Sequence, residues 1–145
     1  MRHAVESSKN GSVEVEKEIK FLRDYIEIQQ IRIPKRDNIC ISSTINWDEK
    51  AATVAPLILM TFVENAFKYG ISFAHECFVE IKLTIENHQL TFECCNSVVP
   101  HAQIEKGTGI ENTLKRLHLL YPNRHTVRVS KSETTFEVFL TISLT

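Results

Sequence analysis

Two short stretches of this chain carry side chains suited to a phosphate and a divalent cation. The first is Glu64-Asn65-Ala66-Phe67-Lys68-Tyr69-Gly70. On a helix, Asn65, Lys68 and Tyr69 stand at i, i+3 and i+4 and share a face. That face would hold a neutral oxygen ligand, a cation and a hydroxyl-bearing ring. Mg²⁺ takes oxygen ligands and usually keeps waters and phosphate oxygens around it. The Asn65 carbonyl could fill one of its positions, and Lys68 could neutralise phosphate as a point charge. The same residues also read as an ordinary polar helix end, with Lys68 answering the helix dipole.

The second stretch is Gly107-Thr108-Gly109-Ile110-Glu111-Asn112, followed by Leu114, Arg116 and Leu117. Two of the chain's four glycines fall here, directly before a helix. Backbone N–H groups at a helix start attract anions, and glycines let a phosphate come close. Asn112 and Arg116, at i and i+4, face one way. The spacing is neither a dinucleotide-binding fingerprint nor a Walker P-loop. A flexible loop with a helix cap would look the same. A third group, Cys95-Asn96-Ser97, lies at a strand end and by itself signals only a turn.

The elements that must position these groups follow from periodicity. Ile19, Leu22, Ile26 and Ile33 recur at helical spacing, and Phe21, Tyr25 and Ile28 widen the stripe, so a helix is expected over 14–33, ended by Pro34. Ile39, Ile41 and Ile45 suggest a strand over 38–46. Thr53 reads as the N-cap of a helix, apolar almost all round, from Val54 to Tyr69, with Pro56 in its first turn. Gly70 then occupies a C′ position. Strands are expected over 77–85 and 89–95, a loop over 96–108, a helix over 110–121 and a hairpin over 126–131 and 135–143. Residues 1–13 read as a mobile lead-in. This order predicts an α/β two-layer sandwich: a mixed, mostly antiparallel sheet with helices on one face.

Composition narrows the choice. The chain has 145 residues, enough for one domain with a real core, and 43% are hydrophobic, which excludes wholesale disorder. A formal charge of -1 argues against a broadly basic nucleic-acid binder. No apolar run reaches the length of a membrane span, and the first residues lack the apolar core of a signal peptide. Cys40, Cys77, Cys94 and Cys95 have neither zinc nor disulfide-framework spacing, and are expected to be reduced, structural and cytosolic.

Together the three groups resemble a known family. Pro56-Leu57-Ile58-Leu59-Met60-Thr61-Phe62-Val63-Glu64-Asn65-Ala66-Phe67-Lys68-Tyr69-Gly70 is similar to the N box of sensor histidine kinases, in the LytS/YehU-like branch of the GHKL class. Gly107 to Leu117, with Leu120-Tyr121-Pro122, resembles the branch's G-x-G-L-x-N-x-x-x-R-L…L-Y-P signature. Glu18 to Arg32 resembles the segment that precedes the domain. The resemblance implies the Bergerat fold of a histidine-kinase ATP-binding catalytic domain over 34–145, with 1–33 continuing from an upstream dimerisation region. It implies ATP and Mg as cofactors. Asn65 would ligate Mg²⁺, and Lys68, Tyr69, Gly107, Thr108, Gly109, Ile110 and Asn112 would bind ATP, with Lys68 on phosphate, the two glycines shaping the loop over the phosphates, Asn112 near the triphosphate and Tyr69 where the branch usually has His. Asn96 would read adenine, and residues 97–106 would form a lid that is mobile without ATP. Glu64 would be a base, a group that orients one, or simply a helix carboxylate beside a cation.

Two departures from that pattern stand out. Asn96 replaces an Asp whose carboxylate would accept from adenine more strongly, and Val98 replaces a glycine. The branch's phosphoacceptor motif, P-H-F-[LF]-x-N, is absent, and His3 reads as incidental. The resemblance therefore implies ATP binding without a built-in acceptor, in the cytoplasmic part of a membrane-anchored homodimer that hands phosphate on to a response regulator. The alternative is a nucleotide-binding-deficient module of the same fold.

Overall fold

The structure, a computed structural model, describes residues 12–98 and 108–144. Its elements run β1 (Val13–Glu14), α1 (Val15–Arg32), β2 (Ile39–Trp47), β3 (Thr53–Val54), α2 (Ile58–Gly70), β4 (Cys77–Glu86), β5 (Gln89–Ser97), α3 (Thr108–Leu120), β6 (His125–Lys131) and β7 (Thr135–Ser143). Five strands form one sheet in the order β2-β4-β5-β7-β6. The β2–β4 pair is parallel and the rest are antiparallel. A parallel pair needs a crossover, and α2 supplies it.

Alternation decides which face carries the helices. Val79, Ile81, Leu83 and Ile85 of β4, Leu90, Phe92 and Cys94 of β5, and Val138, Leu140 and Ile142 of β7 all point inward and are buried. Onto them α2 lays Phe62, Val63, Ala66 and Phe67, with the Phe62 and Phe92 rings 6.1 Å apart. Helix α1 adds Val15, Ile19, Leu22 and Ile26, and α3 adds Leu117. The opposite face is polar, with Lys82 beside Glu93 and Glu80 beside Cys95 across the ladder. Burial pushes the Cys94 thiol up to about 12, which keeps it protonated within the core. The β4–β5 turn uses Asn87 and His88, both at positive φ as a two-residue hairpin of this twist requires. The Asp48 carboxylate accepts the Asn87 N–H at 2.8 Å. The expected two-layer sandwich is therefore the fold observed.

Several local expectations need correcting. Thr53 is not a helix cap. Thr53 and Val54 pair with Glu14 and Val13 as a small second sheet, so Val13 is ordered rather than part of the lead-in. Helix α2 starts later, at Ile58, after Leu57 in the left-handed region at φ 64°. Gly70 is the last helical residue rather than a left-handed C′ residue, and the chain leaves through extended Ile71. Strand β5 runs on through Asn96 and Ser97, where a loop is expected, because both continue the ladder with β7. The rest of the expected lead-in (1–11) and of the lid (99–106) lies outside the described residues, as do Gly107 and His3.

Candidate functional site

The candidate site lies along one exposed strip of α2. Its buried side is taken by Phe62, Val63, Ala66 and Phe67, which leaves Asn65 and Tyr69 half-buried and Glu64 and Lys68 exposed. Thr61, one turn before Asn65, continues the strip. The Lys68 ammonium lies 5.2 Å from the centre of the Tyr69 ring. Glu64 is close enough to Tyr25 for its charge to help burial raise that phenol's pKa.

Helix α3 borders this strip. A Cβ on Gly109 would meet the Thr61 methyl at 3.5 Å, ordinary contact, so the start of α3 lies against α2 one turn from Asn65. Further along, the Arg116 guanidinium donates to the Pro56 carbonyl at 2.9 Å, just before α2. Asn112 lies between Gly109 and Arg116 on the same flank and is exposed. Ile110 is half-buried on the other flank and packs on the core. Thr108 opens the helix.

Asn96 packs against the C-terminal end of α2 on its buried side. It is 2% exposed and sits against the last residue of α2. A Cβ added to Gly70 would come within 2.8 Å of the Asn96 Cβ, so only glycine permits this approach. The Asn96 amide nitrogen donates to the Ser97 carbonyl at 2.8 Å. Ser97, read from sequence as a turn residue, has a structural task here. Its hydroxyl donates to the Gly70 carbonyl at 3.0 Å and accepts the Phe78 N–H at 2.9 Å, which ties the end of α2 to the sheet. Asn65, Lys68, Tyr69, Gly109, Asn112 and Asn96 are thus distributed around the exposed side and C-terminal end of α2.

Sequence reasoning missed the residues that hold the other end of α2. Glu18 of α1 is buried, and its carboxylate accepts the Leu57 N–H through both oxygens, at 3.4 and 3.3 Å. Burial raises its pKa, while the Leu57 N–H and the Arg116 charge work the other way. The Ala55 N–H donates to the buried Tyr121 hydroxyl at 2.8 Å. Glu18, Arg116 and Tyr121 were visible as pattern residues, but no local signal shows that they converge on 55–57.

An antiparallel-rich sheet with a buried crossover helix, flanked by a second helix whose start borders it, is the fold of histidine kinase catalytic domains. The catalytic domain of histidine kinase ThkA superposes with a TM-score of 0.58 over 91% of this chain and 95% of that one, at 13% identity. Full-length ShkA in complex with AMPPNP gives 0.56, covering 85% of this chain and 29% of that one at 17% identity. In sequence the chain is similar to the sensor protein LytS of Staphylococcus saprophyticus, 23% identical over 97% of this chain. It spans about a quarter of that relative's length, 26%. No family model matches the chain.

Proposed function

We propose that this chain binds Mg-ATP and supplies the phosphoryl group for histidine autophosphorylation in a two-component sensor kinase. The observation that carries this reading is that the start of α3 borders the α2 strip that carries Asn65, while Asn96 packs against the last residue of the same helix. The donor set fits the ligand. A single neutral oxygen from Asn65 leaves Mg²⁺ most of its octahedral positions for water and phosphate oxygens. Lys68 sits at the edge of the strip, where a point charge can meet phosphate. The first N–H groups of α3 have no partners within their own helix and suit an anion. With its amide nitrogen occupied by the Ser97 carbonyl, Asn96 would present its oxygen to the adenine amino group.

When bound, Mg²⁺ would neutralise charge on the phosphates during transfer, which is mostly a matter of positioning and electrostatics. The protein's share is to hold the triphosphate between Lys68 and the start of α3. Glu64, exposed on the same helix, would act as a base toward an incoming imidazole. That imidazole would come from an upstream histidine-bearing dimerisation domain of the same protein, in a membrane-anchored homodimer, and the phosphoryl group would pass to a response regulator. Residues 34–145 would be the catalytic domain, and 1–33 the connection to that dimerisation region. ShkA, solved with AMPPNP, supports the nucleotide reading by likeness of fold. Among the described residues no helix is long and apolar enough to cross a membrane.

A second reading, an interaction module of this fold without nucleotide, draws on Asn96, which is neutral and already engaged within its own strand. Calorimetric titration with Mg-ATP separates the two. The expected result is saturable, magnesium-dependent binding that Asn65→Ala abolishes. No binding at millimolar ATP would reject the kinase reading in favour of the module.

A further inference from the structure

The entrance to α2 has an unusual construction. Leu57 holds a left-handed backbone at φ 64°, a conformation a non-glycine residue keeps only when its surroundings impose it. The helix has no side-chain cap, and its first turn contains no acidic residue. The group that answers its positive end comes from another helix, as the buried carboxylate of Glu18 on α1. The two preceding residues are held in the same way. Tyr121 takes the Ala55 N–H, and Arg116 takes the Pro56 carbonyl. Three consecutive residues are therefore fixed by side chains from elsewhere.

The start of α1 is tied to the same place by backbone. Val13 and Glu14 pair with Val54 and Thr53, and the Val15 N–H donates to the Ala52 carbonyl at 2.9 Å. Glu18 lies one turn further on. The first turn of α1 and the approach to α2 therefore form one unit, and α2 carries Asn65 two turns beyond it.

We infer that Glu18 is a positioning residue for the site on α2. By holding the Leu57 amide, its carboxylate sets how α2 enters the fold, and therefore where Asn65 stands. Through it, the first turn of α1 governs the strength of the site. The consequence for nucleotide rests on the Mg-ATP reading above; the consequence for Asn65 does not.

The test uses Glu18→Ala, the conservative Glu18→Gln, and Leu22→Ala as a destabilised α1 control away from the clamp. Two readouts are taken on the whole chain. One, without ligand, is the NMR position of the Asn65 side-chain amide together with hydrogen exchange at Leu57 to Phe62. The other is the calorimetric Kd for Mg-ATP. Glu18→Ala is expected to move the Asn65 signal, speed exchange at the start of α2 and weaken binding about tenfold. Glu18→Gln, which keeps an oxygen for the Leu57 N–H, should restore most of both, and Leu22→Ala should leave both near wild type. If Glu18→Ala does not fold, Glu18→Asp, one methylene shorter, should displace the same signals. A wild-type chain that binds no ATP would reject the kinase reading, while the Asn65 signal still decides this one. An Asn65 signal that responds alike to Glu18→Ala (or Glu18→Asp) and Leu22→Ala would overturn the inference.

Discussion

Gly70 and Asn96 approach so closely that a single methyl group separates the observed packing from a clash. An added Cβ would sit 2.8 Å from the Asn96 Cβ, which is fixed to a central strand. The strand cannot give way cheaply, because Asn96 pairs on both sides, with Val79 and Phe136. Gly70→Ala should therefore destabilise the fold by about 1–3 kcal/mol, the usual cost of overpacking a tight site. Urea denaturation checks this, and a variant as stable as wild type would show that the contact relaxes. Sequence alone gave this glycine another meaning. A Gly after an apolar helical run is the common C′ signal, and only the distance to a residue 26 positions away reveals that its role is close approach.

At the scale of elements, the strands and core faces were legible because their periods are unambiguous. Val79, Ile81, Leu83 and Ile85 alternate without interruption, and all four are buried. The start of α2 was not legible. Thr53 and Pro56 make a plausible local cap, but Thr53 pairs with Glu14, 39 residues earlier, and that tertiary pairing overrides the local signal. Leu57 gives no hint of a positive φ either. Its conformation makes a sharp prediction. Leu57→Val puts a β-branched residue in the left-handed region and should cost about 1–2 kcal/mol. Leu57→Gly relieves strain but frees the unfolded chain, and should stay within about 1 kcal/mol of wild type. Thermal unfolding of both variants decides, and a Val variant matching wild type would mean that the turn has moved.

For the molecule as a whole, burying Glu18 makes stability depend on pH. Its folded pKa lies above the ordinary 4.5, chiefly because burial disfavours the charged form, with the Leu57 N–H and Arg116 opposing. As pH rises past 4.5 the unfolded carboxyl loses its proton first, so the folded state binds more protons and stability falls until the folded pKa is passed. Relative to wild type, Glu18→Gln should therefore gain stability as pH rises through that window and then level off. A difference that stays flat with pH would mean that the carboxyl titrates normally. The candidate site itself was legible in part: the helix face of Asn65, Lys68 and Tyr69 could be read from spacing, whereas its neighbours across α3 and β5 depend on long-range packing. One mechanical consequence follows from where Glu18 sits along its helix. Helix α1 is a rod about 27 Å long, pinned one turn from its beginning. A shove arriving at Val13 reaches the pin almost undiminished. The same shove at exposed Ile31, about 20 Å beyond Glu18, first meets Ile26, Leu22 and Ile19, whose burial holds the middle of the helix in the core.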